Sequence, residues 1–368
     1  IGSTMAERFL YVPSLGFCII AGILVYKLLK FKDEGGESIL SSVKKNNVYI
    51  LPVFAILVLY GYKTYSRNEV WKDNFTLYST DMENTAQSAR ANLFYGQELL
   101  EMAKVEQDEK QRKDYFDGAK KHMAVAGKID PTFSDVWLNL GIAFVESGDN
   151  HKGIENYKKV IKIDPKYSKA YYNMGNAFFN LKQWDDAENS FRKAFEINPG
   201  YIKAYYNLGN VYLQTNRNNE AMEYYKKALK LDPQYVDVYN NMGNAFTNMG
   251  KFDEAISVYR QAIQINPNNA MLYNNMGNAY NNIKKYDEAI SSFQKAMLYD
   301  PTYVSAINNT GEAYFYKKNY DVAIKFFKRV LEIEPNDRGA YINIGFCYQQ
   351  KGDKQKASEF FEKAKSLN

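Results

Sequence analysis

One asparagine recurs every 34 residues: Asn139, Asn173, Asn207, Asn241, Asn275, Asn309 and Asn343. Three residues further on, a second column holds Asn176, Asn210, Asn244 and Asn278. Asparagine is a mediocre helix former, so helix propensity does not account for the repetition. At a spacing of three, the two columns share one face of a helix. Each amide carries both donors and an acceptor. A column of them suits an extended polypeptide backbone, which presents the same groups whatever its sequence. Two other readings stay open: amides that satisfy polar contacts between helices, and duplication of a single unit. Divergence just before each first-column asparagine weighs against duplication, since that site reads Leu138, Tyr172, Tyr206, Asn240, Asn274, Asn308 and Ile342. Tyr172 and Tyr206 would add ring or hydroxyl contacts to a ligand. Lys169 and Lys203 would add positive charge at the same end, against Asp135 and Asp237.

Other chemistry is thinly represented. Cys18 and Cys347 lie too far apart in sequence to suggest a disulfide scaffold or a cysteine zinc site. His122 and His151 lack ligand spacing, so a histidine metal site or a Ser-His-Asp triad is not expected. There is no Gly-rich phosphate loop, nucleophile elbow or HExxH. Paired acids such as Asp185-Asp186 recur on helix faces expected to be solvated. The net charge of +5 is uneven: residues 1–72 hold nine Lys/Arg against five Asp/Glu, leaving 38 against 37 for the rest. That balance argues against nucleic acid as a partner. Two glycosylation sequons occur, at Asn74 and Asn308.

The elements that hold the asparagines follow a strict ruler. Pro131, Pro165, Pro199, Pro233, Pro267, Pro301 and Pro335 keep the 34-residue step, as do Gly141, Gly175, Gly209, Gly243, Gly277, Gly311 and Gly345. Small residues at positions such as Ala187 and Ala194 let two antiparallel helices approach. An aromatic at Tyr157, Phe191, Tyr225, Tyr259, Phe293, Phe327 and Phe361 fills the gap, and proline ends the second helix. A fixed period of this length means a solenoid. The pattern resembles the tetratricopeptide repeat (TPR), a helix–turn–helix unit of 34 residues. The resemblance implies a right-handed superhelix of seven regular units over 134–167, 168–201, 202–235, 236–269, 270–303, 304–337 and 338–368. An irregular first unit is expected over 88–133, with Glu106–Asp114 as a lengthened turn or helix end. In such superhelices the asparagine sites face the concave groove, and the columns resemble the asparagine ladder of O-linked N-acetylglucosaminyltransferase. In the last unit Lys354, Ser358 and Lys365 replace apolar counterparts, as a capping repeat requires. The true C-terminus is therefore expected near Asn368.

Upstream, Phe9–Tyr26 and Asn46–Tyr62 are uncharged, mostly apolar runs. Each is just long enough to cross a bilayer core of ~30 Å as a helix. Pro13 and Pro52 sit near the starts of the runs, and tyrosines flank them as interfacial aromatics do. The connector carries Lys27, Lys30, Lys32, Lys44 and Lys45; beyond the second run come only Lys63, Arg67 and Lys72 before the repeats approach. The positive-inside rule puts the connector in the cytoplasm and the repeats on the opposite face. The fold class expected is thus all-α, a two-helix transmembrane hairpin over 1–63, a juxtamembrane linker over 64–87, then the repeats. Ile1 is not an initiator methionine, so the chain is read as starting inside a longer protein.

The segments MAERFLYVPSLGFC at Met5–Cys18 and SRNEVWKDNFTLY at Ser66–Tyr78 resemble motifs of the transmembrane-and-tetratricopeptide-repeat (TMTC) family, in the same order and followed by the same repeats. That resemblance implies the C-terminal part of a membrane-embedded protein O-mannosyltransferase with a polyprenyl-phosphate mannose donor and extracytoplasmic repeats, in the periplasm or the endoplasmic reticulum lumen. The catalytic acids of such enzymes precede this stretch, so neither a catalytic residue nor a cofactor is expected here. Arg8, with Glu7, is placed by the resemblance where it can hold the donor phosphate bidentately; an interfacial anchor that snorkels to the headgroups is the other reading. The partners implied are the lipid bilayer and extended or unfolded polypeptide segments in the repeat groove. A membrane-anchored, non-enzymatic scaffold for protein–protein interaction is the alternative.

Overall fold

The computed structural model describes residues 73–367, together with Leu59 and Tyr62. Glu7, Arg8, both apolar runs and most of the expected linker lie outside the described residues. Among the described residues all regular structure is helical, and no helix is long and apolar enough to cross a membrane. The chain divides into two compact units, residues 1–129 and 130–368.

The first unit holds α1 (Asn74–Thr85), α2 (Ala89–Val105) and α3 (Glu109–Ile129). The charged stretch after α2 is a short turn, and its remainder extends α3 to 21 residues. Gly96 of α2 lies against Met123 and the Ala119 carbonyl of α3. Asn92 is buried, donates to the carbonyls of Ala86 and Ser88, and lies 3.0 Å from Nδ1 of His122. Burial, with the Lys121 charge, lowers the His122 pKa, so its ring stays neutral and packs edge-on against Tyr95.

The second unit is seven helix pairs. The first helices are α4 (Ser134–Glu146), α6 (Ser168–Asn180), α8 (Ile202–Gln214), α10 (Val236–Asn248), α12 (Ala270–Asn282), α14 (Val304–Tyr316) and α16 (Arg338–Gln350). The second helices are α5 (Asn150–Ile163), α7 (Trp184–Ile197), α9 (Asn218–Leu231), α11 (Phe252–Ile265), α13 (Tyr286–Tyr299), α15 (Tyr320–Ile333) and α17 (Lys354–Ser366). Each first helix packs on its own second helix and also touches the first helix of the next pair. Successive second helices make no comparable contact. The stack therefore closes up along its first helices, which form the inner face.

Local chemistry sets the joints. Each first helix ends with one residue in the left-handed region: Gly148, Lys182, Asn216, Gly250, Lys284, Lys318 and Gly352. The following N–H reaches back five residues, as Gln183 does to the Phe178 carbonyl at 2.9 Å, which satisfies an otherwise orphaned acceptor. At Lys182, Lys284 and Lys318 a side chain tolerates a backbone that glycine would adopt at less cost. The first six second helices stop at an Asp, Asn or Glu before proline, a residue biased away from helix. The side chains of Asp164, Asn198 and Asp232 then accept the N–H two residues on.

Within each pair the aromatic ring of the second helix covers the glycine of the first. A Cβ built at Gly175 would lie 2.7 Å from two ring carbons of Phe191, and the same clash recurs at Gly277 with Phe293. Tyr157, Phe191, Tyr225, Tyr259, Phe293 and Phe327 are almost fully buried. In the last pair Lys354, Ser358 and Lys365 are exposed, where Ile256 of the fourth is 5% exposed.

One joint departs from the apolar rule. Glu188 occupies the register that holds Ile154, Met222, Ile256, Ile290 and Ile324 elsewhere. Its carboxylate accepts from Tyr212 Oη at 2.6 Å and Arg192 Nε at 3.0 Å, and lies 3.3 Å from Arg217 Nη1. Arg192 also donates to the hydroxyls of Tyr212 and Tyr224. Burial pushes the Glu188 pKa up, but the hydrogen bonds from Tyr212 and Arg192 and the two guanidinium charges outweigh it. The net shift is downward.

Two outcomes are expected. Gly175→Ala forces the ring of Phe191 or a whole helix to move and should cost about 1–3 kcal/mol in urea unfolding; a neutral result would contradict the packing. Glu188→Gln should cost about 0.5–1.5 kcal/mol at pH 7. Because the folded-state pKa is depressed, the ionised form of Glu188 stabilises above its unfolded value, near 4.5. That contribution fades as pH falls through the lower folded value. The gap between wild type and variant should therefore shrink below about pH 4.5, as unfolding measured across pH would show.

Candidate functional site: an amide relay on the inner face

The asparagine columns lie on the first helices, and their amides bond from one pair to the next. Asn207 donates through Nδ2 to Asn176 Oδ1 at 2.7 Å and to the Tyr172 hydroxyl at 3.2 Å. Asn241 repeats this one pair later, with Asn210 Oδ1 at 2.8 Å and the Tyr206 hydroxyl at 3.1 Å. Asn275 turns to Asn240 Oδ1 at 2.9 Å. Asn309 reaches both Asn274 and Asn278 at 2.9 Å, and Asn343 reaches Asn308 at 3.2 Å. The links span 31 or 35 residues, one repeat less three or plus one. This register follows from first helices lying side by side.

The other column members anchor the relay to the pair behind it. Asn210 also accepts from the Tyr225 hydroxyl at 2.7 Å, and Asn244 from that of Tyr259 at 2.7 Å. Those two tyrosines fill the helix–helix joint, so Asn210 and Asn244 are each tied to the core ring of their own pair. Burial raises the pKa of Tyr225 and lifts that of Tyr259 to about 12, so both hydroxyls stay protonated and able to donate.

The early members behave differently. Asn139 bonds the Asp135 carbonyl of its own helix at 2.7 Å, and Asn173 makes no hydrogen bond among the described residues. The relay proper therefore runs from Asn176 to Asn343. Lys169 and Lys203 are exposed at the start of their helices, on the same side as the first column. Asp135 accepts from Tyr167 and Asp237 is exposed. Both Tyr172 and Tyr206 are half-buried, and each packs against the tyrosine opening the next pair: Tyr172 on Tyr201 at 4.9 Å, Tyr206 on Tyr235 at 5.1 Å between ring centroids.

Two sets of residues escaped the sequence reading. Asn240, Asn274 and Asn308, read only as signs of divergence, are acceptors of the relay. Asn180, Gln214, Asn248 and Asn282 form a third, exposed polar column four residues beyond the second. Asn180 joins Asn176, Phe179, Asn207 and Asn210 around a cleft of about 140 Å³. The signal was available, because a step of four continues the same helical face.

Models of the TPR repeat match residues 143–182, 209–250 and 243–284, and further tetratricopeptide-repeat models match 168–201, 190–223, 268–336 and 302–367. Together they span more than half of the chain, which belongs to the tetratricopeptide-repeat proteins. The yeast Tom70 structure shares the fold, with a TM-score of 0.51 at 19% identity over 79% of this chain and 57% of Tom70. Within that class the repeats are TMTC-like. The protein O-mannosyl-transferase tmtc2 of Xenopus laevis is 30% identical over 112 residues, 30% of this chain and 12% of that protein. A protein O-mannosyl-transferase of Caenorhabditis elegans is 32% identical over 133 residues, 36% of this chain and 16% of that protein. The matched stretch thus spans under a fifth of either relative.

Equivalent asparagines should differ in stability. Asn309→Ala removes two hydrogen bonds and strands the buried Asn274 carbonyl, at a cost of about 1–2 kcal/mol. Asn173→Ala loses none of these and gains helix propensity, so it should be neutral or stabilising by up to about 0.5 kcal/mol. Equal losses in urea unfolding would show that the relay is not what stabilises the joints.

Proposed function

We propose that this chain is the acceptor-binding part of a membrane-embedded protein O-mannosyltransferase, its repeats holding extended polypeptide on the inner face. In this reading residues 1–63 are a transmembrane hairpin, 64–87 a linker, 88–133 an irregular first repeat and 134–368 seven regular ones. The repeats lie outside the cytoplasm. The donor is a polyprenyl-phosphate mannose held by the parent protein, with Arg8 and Glu7 at the membrane edge beside the lipid-linked phosphate. The similarity to the O-mannosyl-transferases supports the parent activity, and the loop charges support the orientation.

One observation carries the binding role. In the Asn176–Asn207 pair, the bond runs from Nδ2 of Asn207 to Oδ1 of Asn176, which leaves Nδ2 of Asn176 and Oδ1 of Asn207 without partners among the described residues. The Asn278–Asn309 pair leaves the same two groups. These two pairs therefore still present one donor and one acceptor, the complement of a backbone peptide unit, whereas the carbonyls of Asn241 and Asn275 already accept from neighbouring amides. The relay orients the amides and the leftover groups serve the ligand.

The test uses a fluorescent, reduced and unfolded polypeptide. Replacing Asn207, Asn241 and Asn275 together by Ala should weaken binding at least about tenfold, as two or three lost hydrogen bonds imply. The helical circular-dichroism spectrum should be retained, with a lower unfolding midpoint. Unchanged affinity would remove the binding role. In the parent protein, deleting residues 134–368 should raise the acceptor KM and spare the hydrolysis of donor lipid. A deletion that leaves acceptor KM unchanged would favour a scaffold for other proteins.

A further inference from the structure

The inner face is not uniform along the stack. In the second and third pairs the site before the first-column asparagine is a tyrosine, Tyr172 and Tyr206; in the next three it is Asn240, Asn274 and Asn308. Both tyrosine hydroxyls are acceptors of the relay, from Asn207 and Asn241. A hydroxyl that accepts an amide N–H cannot return its own hydrogen to that nitrogen. Among the described residues neither O–H has an acceptor of its own, the Tyr206 oxygen being also contacted by the Asn210 amide, and the hydroxyls of Tyr201 and Tyr235, packed ring to ring beside them, make no hydrogen bond. Asn176 adds a free Nδ2 at the same place, its carbonyl being occupied by Asn207. This end of the inner face is therefore rich in donors and walled by aromatic rings, whereas in the later pairs amides replace Tyr172 and Tyr206, and Tyr303 repeats the register of Tyr201 without such a partner ring.

Resting on the polypeptide-binding reading above, we propose that the second to fourth pairs select proline-rich segments in the polyproline II conformation. Such a segment presents backbone carbonyls but few N–H groups, which matches tyrosine O–H donors better than a balanced backbone does. Its pyrrolidine rings pack on aromatic faces, the usual means by which proline-rich chains are recognised. The spacing agrees too. One turn of polyproline II is three residues and about 9 Å long. Packed helix axes lie about 8–10 Å apart, so successive turns meet equivalent tyrosines of successive pairs. A β-strand repeats its face at about 7 Å and falls out of step within two pairs.

The experiment measures binding to the full chain by fluorescence anisotropy. Two labelled peptides of about twelve residues, four turns of polyproline II, are used: one of Ser-Pro-Pro repeats, one of Gly-Ser repeats, with equal net charge. The proline-rich peptide should bind about tenfold more tightly, the gain expected from two additional hydrogen bonds. Tyr172→Phe with Tyr206→Phe keeps both rings and should erase that advantage, so that within the variant the two peptides bind to within about twofold of each other. Equal affinity of wild type for both peptides, or full retention of the advantage in the double variant, overturns the inference and leaves general polypeptide binding standing. Binding of neither peptide overturns both.

Discussion

In each helix pair of the stack, an aromatic ring on the second helix lies where the first helix has no side chain. The contact between Gly175 and Phe191, repeated down the stack, sets how closely two helices approach and at what rotation. Fully buried alanines such as Ala187 and Ala194 extend the same close contact on either side. Everything on the inner face depends on this, because the rotation of the first helix decides which residues point along the stack.

That rotation brings the asparagine of one first helix against the amide or hydroxyl of the previous one. In two pairs a further hydrogen bond stays within the pair: the tyrosine that fills the helix joint bonds the second-column amide of its own pair, Tyr225 to Asn210 and Tyr259 to Asn244. Core packing and groove chemistry are thus joined through one hydroxyl. A buried polar network of this kind stabilises only when its members are paired. The relay meets that condition among its own amides while leaving some groups open to a ligand.

The joint around Glu188 shows the other way a solenoid specifies its stacking. Where neighbouring joints bury isoleucine or methionine, this one holds a half-buried carboxylate between two arginines and a tyrosine. Directional bonds there fix the register of two pairs that apolar side chains alone would hold less selectively. The cost is a dependence on pH that the apolar joints lack.

By itself the sequence determined that the chain repeats a pair of antiparallel helices every 34 residues. Proline spacing, glycine–aromatic spacing and the acidic or amide residue before each proline are local rules, readable from one 34-residue window. The asparagine columns were equally visible, since a step of three or four is a property of a single helix. What only the tertiary structure decided is how those amides are used. Asn173 and Asn309 are equivalent in sequence register, yet one is unbonded and the other makes two bonds to the preceding repeat. Bonds between residues 31 or 35 apart depend on how one pair rotates against the next, and no single window contains that rotation. The same holds for Glu188, which reads locally as a solvated helix charge and becomes the centre of a half-buried network when Tyr212 and Arg217 arrive from the next pair. The left-handed backbone at Lys182, Lys284 and Lys318 is a further case, because the back-bonded turn of the whole unit, and not the residue's own preference, holds it there.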